Sequence, residues 1–168
     1  MNISSLAPPQ LSNNGHTRTG FRLTDEILVV QTGQAPHFVD LTEAVAEVIE
    51  RSGIKSGQVL VYSRHTTAAV RVQEDEPLLL EDIKACLERL APPELPYRHN
   101  DFRERTVNMT DDESPNGHAH CQHLFLGVSE TVPVVHGQLA LGRWQRIFLI
   151  ELDHPRRREV HVQVLGLR

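Results

Sequence analysis

Near the end of the sequence, valines stand at every second position: Val160, Val162 and Val164, with His161 and Gln163 between them. Period two is the geometry of a β-strand, whose successive side chains point to opposite faces. A segment patterned this way buries one face and needs neighbouring strands to satisfy its backbone, so the chain must build a sheet. Other segments read as its partners. Residues 26–31 hold the apolar run Ile27-Leu28-Val29-Val30, and residues 58–63 alternate around Val59 and Val61. Residues 68–73 place Val70 and Val72 on one face. Residues 132–135 and 138–141 flank His136-Gly137, a hairpin-type turn. Residues 146–152 and 159–165 flank a second turn, Asp153-His154-Pro155-Arg156. The pattern reads as strand from His118 onward, which makes residues 118–121 extended.

Two helices interrupt the strands in the first half. Asp40 with Glu43 three residues on is a capping-box signal for a helix over 41–52. Ala44, Val45, Val48 and Ile49 form its apolar face, and Gly53 ends it. Pro77 suits the first position of a helix over 77–90. Its apolar set is Leu79, Leu80, Ile83, Cys86, Leu87 and Leu90, and Glu74-Asp75-Glu76 complements its N-terminal dipole. The fold class is therefore α+β: a strand-rich single domain with two helices in its first half.

The length, 168 residues, suits one domain. Residues 1–20 are rich in Ser, Asn, Pro and Gly without apolar period, so they are expected as a disordered tail, with the domain over 21–168. Apolar runs such as Ile147–Ile150 reach only four residues, too few to span a bilayer as a helix. No charged region followed by an apolar stretch marks a signal peptide. Two cysteines, Cys86 and Cys121, make no disulfide framework, and a cytoplasmic location is expected. A net charge of −5 argues against a nucleic-acid-coating role.

Ten histidines are present, and His99, His118, His120 and His123 fall within one short stretch. On an extended strand His118 and His120 would share a face and could share a divalent metal, with His99 or His65 as a further ligand. Cys121 and His123 would then point the other way, which leaves a Cys–His nucleophile unsupported. Glu74, at a strand end, could serve a substrate or hold Mg²⁺, whereas Asp75 and Glu76 suit helix capping. Arg143 and Arg156 could clamp an anion or lie in a subunit contact. Residues 97–117 form a long polar connection, of the kind that is functional or disordered.

Read in order, Arg64-His65-Thr66-Thr67-Ala68-Ala69, Glu74-Asp75-Glu76, Tyr97-Arg98-His99-Asn100, Pro115-Asn116-Gly117-His118-Ala119-His120 and the stretch from Gly137 to Gln145 with Glu151-Leu152-Asp153 resemble the YjbQ-like family. The resemblance covers about residues 22–166. It implies an α+β fold of β-sandwich character and a homotrimer with sites near subunit contacts. It also implies a weak, secondary thiamine phosphate synthase activity. His65, Glu74, His99 and His120 sit on the family's recurrent polar positions, and His118 on a more variable one. Where the family turn usually reads Asp-Gly-Pro-Arg, this chain has His154. That residue either forgoes a left-handed backbone or adds an imidazole near the site.

These readings give a transferase with His65, Glu74 and His120 as catalytic residues, Arg143 and Arg156 binding a small phosphorylated substrate, and His99, His118 and His120 holding a divalent metal, Zn or Mg. The competing reading is a non-catalytic homotrimer that binds a small ligand or metal. Neither reading involves a membrane or a nucleic acid.

Overall fold

The computed structural model describes residues 20–168. The expected tail, apart from Gly20, lies outside the described residues. The elements in chain order are β1 (Phe21–Gln31), β2 (His37–Asp40), α1 (Thr42–Ser52), β3 (Ser56–Ser63), β4 (Ala68–Glu74) and α2 (Pro77–Leu90). After a 3₁₀ turn (Arg98–Asn100) come α3 (Gly117–Leu126), β5 (Ser129–Val135), β6 (Gln138–Leu139), β7 (Gln145–Glu151) and β8 (Arg157–Leu167). The α+β class and both first-half helices are as the sequence pattern implies.

The strands form two sheets. One has the order β1-β8-β3-β5-β6 and the other β2-β7-β4. Between them lies the main core, built from the inward positions that the alternation marks: Val59 and Val61 on β3, Val132 and Val134 on β5, and Val160, Val162 and Val164 on β8. Val70, Ile147 and Leu149 face them from the smaller sheet, and Val45, Val48 and Ile49 of α1 close one end. The smaller sheet's other face is covered too. Ala69, Phe148 and Ile150 pack there with Leu87 of α2 and Ala119 of α3. The central strand β7 is thus buried on both sides, which is why its sequence, Ile147 to Ile150, is a continuous apolar run rather than an alternation. Among the described residues nothing comparable covers the larger sheet's outer face: Phe21, Leu23, Ile27 and Val29 of β1 are all more than half exposed.

The turn at 153–156 does not fold one sheet back on itself. It carries the chain from β7 in the smaller sheet to β8 in the larger one. The His136-Gly137 turn does close a hairpin, with φ of 54° and 78°, the paired positive values of a tight β-turn.

Two sequence expectations are overturned. Residues 117–126 are the helix α3, not a strand. The helix buries Gly117, Ala119 and Gln122 while Leu124 and Phe125 are exposed, so no apolar stripe announces it. Gln122 is held by its side-chain amide, which donates to the carbonyls of Leu87 and Ala91 at 3.3 and 3.1 Å. The second correction concerns α2, which buries only Leu87 fully and leaves Leu90 and Cys86 exposed. Glu76 caps it as expected, its carboxylate accepting from the N–H of Leu78 and Leu79.

Candidate functional site

The site is built where the 3₁₀ turn, α3 and the β7–β8 connection meet. Gly117 opens α3 and packs against Tyr97 so closely that a Cβ there would lie 2.5 Å from the tyrosine Cβ. Its N–H donates to Asn100 Oδ1 at 2.9 Å. This contact presses the 3₁₀ turn onto the helix and brings His99 to His120, whose rings stand edge-on with centroids 4.6 Å apart. His123 follows His120 by three residues and so lies on the same side of α3. His118 does not, because two residues turn a helix by about 200°. The shared face expected for His118 and His120 is a property of a strand and is lost in the helix.

Burial lowers the His120 pKa, and the neighbouring His99 and Arg105 lower it further. Burial likewise lowers that of His123. Both imidazoles are thereby held neutral at pH 7. Across from them, the Asp153 carboxylate accepts from Asn116 Nδ2 at 3.1 Å, pairs with Arg156 Nη2 and lies 3.0 Å from His154 Nδ1. Burial alone would raise the Asp153 pKa, but the hydrogen bonds from His154 and Asn116 and the charge of Arg156 hold it below the usual range. Four buried polar atoms in this region have no hydrogen-bond partner among the described residues: His99 Nε2, His123 Nε2, Asn116 Oδ1 and Arg156 Nε. A cleft of about 410 Å³ opens beside His99 and is lined also by Arg98, Glu104 and Arg105.

The polar connection before α3 is ordered by its own ion pair. Arg105 meets Glu113 at 2.9 Å with both side chains largely buried, and donates to the Asn108 carbonyl at 2.6 Å. Immediately behind Asp153 and Arg156 lies a second carboxylate–guanidinium pair. Arg158 donates to Glu151 at 2.7 Å through Nε and to Thr67 Oγ1 at 2.9 Å, and Thr32 Oγ1 donates to Glu151 at 2.8 Å. His65 belongs to this rear group. Its Nε2 accepts from the Glu159 N–H at 2.8 Å, and its pKa is lowered by burial and by Arg158.

A model of the family described as UPF0047 protein YjbQ-like matches residues 26–167. The chain belongs to that family. A UPF0047 protein of Methanothermobacter thermautotrophicus is 39% identical over 83% of this chain and 90% of its own length. The UPF0047 protein YugU of Bacillus subtilis is 30% identical over 83% of this chain and 97% of its own. The crystal structure of a YbjQ-like protein of unknown function from Sulfolobus solfataricus P2 superposes with a TM-score of 0.79 at 35% identity, covering 88% of this chain and 99% of that one.

Within this YjbQ-like chain the expected site residues separate into two places. His99, His120 and Arg156 lie at the end of the smaller sheet where β7 finishes. Glu74 and Arg143 lie at the other end, since Glu74 pairs in register with Gln145, the first residue of β7. A seven-residue strand at about 3.3 Å per residue puts roughly 20 Å between those ends. Arg143 there stacks over Trp144 at 4.4 Å and lines a groove with Lys55 and His136. The metal set His99, His118 and His120 does not assemble: among the described residues no three His, Cys, Asp or Glu side chains are placed to hold a metal ion. Asn116, Asp153 and the Glu151–Arg158 pair are the additions. An acid ending the apolar run of β7, and an arginine in register with the inward valines of β8, are the signal that could have marked that pair, because such charges are buried only when matched.

Proposed function

We propose that the cluster of His99, His120, His123, Asp153 and Arg156 binds a small phosphorylated molecule and supports a slow thiamine phosphate synthase reaction, secondary to the binding itself. The observation that carries this reading is the set of buried polar atoms left without partners where the 3₁₀ turn, α3 and the β7–β8 connection meet. Burying such a group unpaired costs about 1–3 kcal/mol, so four together favour an occupant that pairs them. In that reaction the thiazole phosphate nitrogen attacks the pyrimidine methylene carbon as its bond to the pyrophosphate oxygen breaks. Negative charge grows on the departing pyrophosphate. Arg156 meets that charge, Asp153, itself held by Asn116, keeps Arg156 in place, and the imidazoles of His99 and His120 orient the ligand.

Glu74 and Arg143 enter the same site only if a neighbouring copy supplies them. The homotrimer is therefore part of this proposal. The uncovered apolar positions Phe21, Leu23, Ile27 and Val29 support self-association. A divalent metal, Zn or Mg, would need a third ligand from such a copy, and no chemical step above runs through one. Among the described residues no helix is long and apolar enough to cross a membrane.

The test is pyrophosphate release from the activated pyrimidine and thiazole phosphate, followed for the wild type, His120→Ala and Glu74→Ala, with the particle mass measured by light scattering. Turnover well below about 1 per second is expected, falling about 10²–10³-fold in His120→Ala. A Glu74→Ala loss in a trimeric protein would show that the site is shared between copies. Turnover indifferent to His120→Ala would place the reaction elsewhere. Binding without turnover would leave the non-catalytic reading.

A further inference from the structure

The ring of His154 is placed in a way that no hydrogen-bonding requirement of the fold explains. Its Nδ1 lies 2.6 Å from Arg156 Nη2, 3.0 Å from Asp153 Oδ1 and 3.5 Å from Ser114 Oγ. One ring nitrogen cannot accept from the guanidinium and donate to the carboxylate at once. Unprotonated, Nδ1 accepts from Arg156 and the ring proton sits on Nε2. Protonated, Nδ1 donates to Asp153 and sets a second cation against the guanidinium. Nε2–H is a donor in both states. The side chain is 44% exposed, so this donor can be reached from solvent. The backbone is ordinary, since Asn108 and His136 are the positive-φ residues other than glycine among those described. The position therefore gives up no left-handed turn to carry the imidazole.

Resting on the anion-binding reading above, we propose that His154 is a second anion-binding side chain paired with Arg156, whose switch between Arg156 and Asp153 makes binding of a phosphate-type dianion tighter in acid. Two cations in contact repel each other, and a dianion lying against both relieves that repulsion. Proton uptake and anion binding are then linked, each favouring the other. The charged groups facing the ring are Asp153 and Arg156 from its own turn and Asp112 from the connection before α3, where Ser114 adds its hydroxyl. Asp153 is already committed to Arg156 and Asn116, so the guanidinium stays in place when His154 lets go of it.

Sulfate is a suitable probe because it remains a dianion throughout the range in which imidazoles titrate. Its affinity for the full chain is measured by calorimetry at pH 8 and pH 5.5, in the wild type, His154→Gln and Arg156→Ala. The wild type is expected to bind about tenfold more tightly at pH 5.5, the effect of one added neighbouring charge worth about 1.4 kcal/mol. His154→Gln should lose most of the gain between pH 8 and pH 5.5, whatever its affinity at pH 8. Arg156→Ala should bind poorly at both. An undiminished acid gain in His154→Gln would overturn the assignment to His154 while leaving the anion site standing. Sulfate binding unaffected by Arg156→Ala, or no binding by the wild type at either pH, would overturn the site and this inference together.

Discussion

Two carboxylate–guanidinium pairs sit side by side where β7 gives way to β8, and they are finished differently. Glu151 and Arg158 are fully enclosed, and each carboxylate oxygen and both donating guanidinium nitrogens have partners. Two residues along in each direction, Asp153 and Arg156 form a pair whose carboxylate is buried but whose arginine is part-exposed and keeps a buried Nε without a partner. The closed pair is what a fold uses to tie two sheets together. The open pair retains hydrogen-bonding capacity beside the His99–His120 contact. Similar chemistry in adjacent positions thus divides into a brace and a candidate binding group, and the division is made by what surrounds each pair rather than by residue type.

The strongest way to break this comparison is to unpair the brace. Glu151→Ala leaves Arg158 charged, buried and without its carboxylate, which typically costs about 3–5 kcal/mol. Urea titration should show that loss with an unchanged dependence on denaturant. Arg156→Ala should cost less than half as much, because Asn116 and His154 still hold Asp153. Equal losses at the two positions would mean that both pairs are structural and that the open one has no spare capacity.

The scaffold that carries these pairs was far easier to see in the sequence than the pairs themselves. Alternation in β8 and the continuous run in β7 state which faces are buried, so the sheets and core were legible from residue type alone. Capping signals at Asp40, Glu76 and Gly53 placed α1 and α2 within a residue or so. The convergence of His99 with His120 was legible only as a cluster of histidines along the chain. Its real cause is the close approach of Gly117 to Tyr97, a contact between segments that no periodicity records. The same blindness turned α3 into a strand. Its buried residues are a glycine, an alanine and a glutamine, and their burial depends on the Leu87 and Ala91 carbonyls of another element. The resemblance carried the position of Glu74, and charge alone suggested Arg143, but neither records the strand length that separates them from the histidines.

Gly117 offers an intermediate effect that sharpens the contrast. Gly117→Ala would drive a methyl into the Tyr97 side chain, and overpacking of this kind typically costs about 1–3 kcal/mol. The strain falls on the 3₁₀ turn and the start of α3, so the His99–His120 contact should loosen while the Glu151–Arg158 brace stays intact. Measured together, sulfate binding should weaken more than stability falls. A variant that loses stability but binds sulfate normally would separate that contact from ligand binding.

The smallest effect is in the pH dependence of stability. Burial lowers the pKa of His120, His123 and His65 in the folded protein. In the unfolded chain these rings titrate near the ordinary value of about 6.5. Below that value the unfolded state binds more protons than the folded one, so stability falls as pH falls. The contribution is complete above about pH 6.5 and is lost on the way down through the folded pKa values. Asp153 and Glu151 follow the same sign at lower pH. Burial raises their pKa values, but their hydrogen bonds and the adjacent arginines outweigh it and hold both below the carboxylate range. Acidification should therefore act in two stages. The first begins in the imidazole window and belongs to the open site together with His65; the second begins in the carboxylate window and adds the brace. Melting temperatures from pH 8 to pH 4 should show this, and a His120→Gln, His123→Leu double variant should shrink the upper stage to the share of His65 while leaving the lower one. A decline confined to the carboxylate window in the wild type would mean that the imidazoles of the open site accept protons as readily when folded as when unfolded. Those rings would then be solvated groups, and the distinction between a closed pair and an open, partly dry site would fail at its open end.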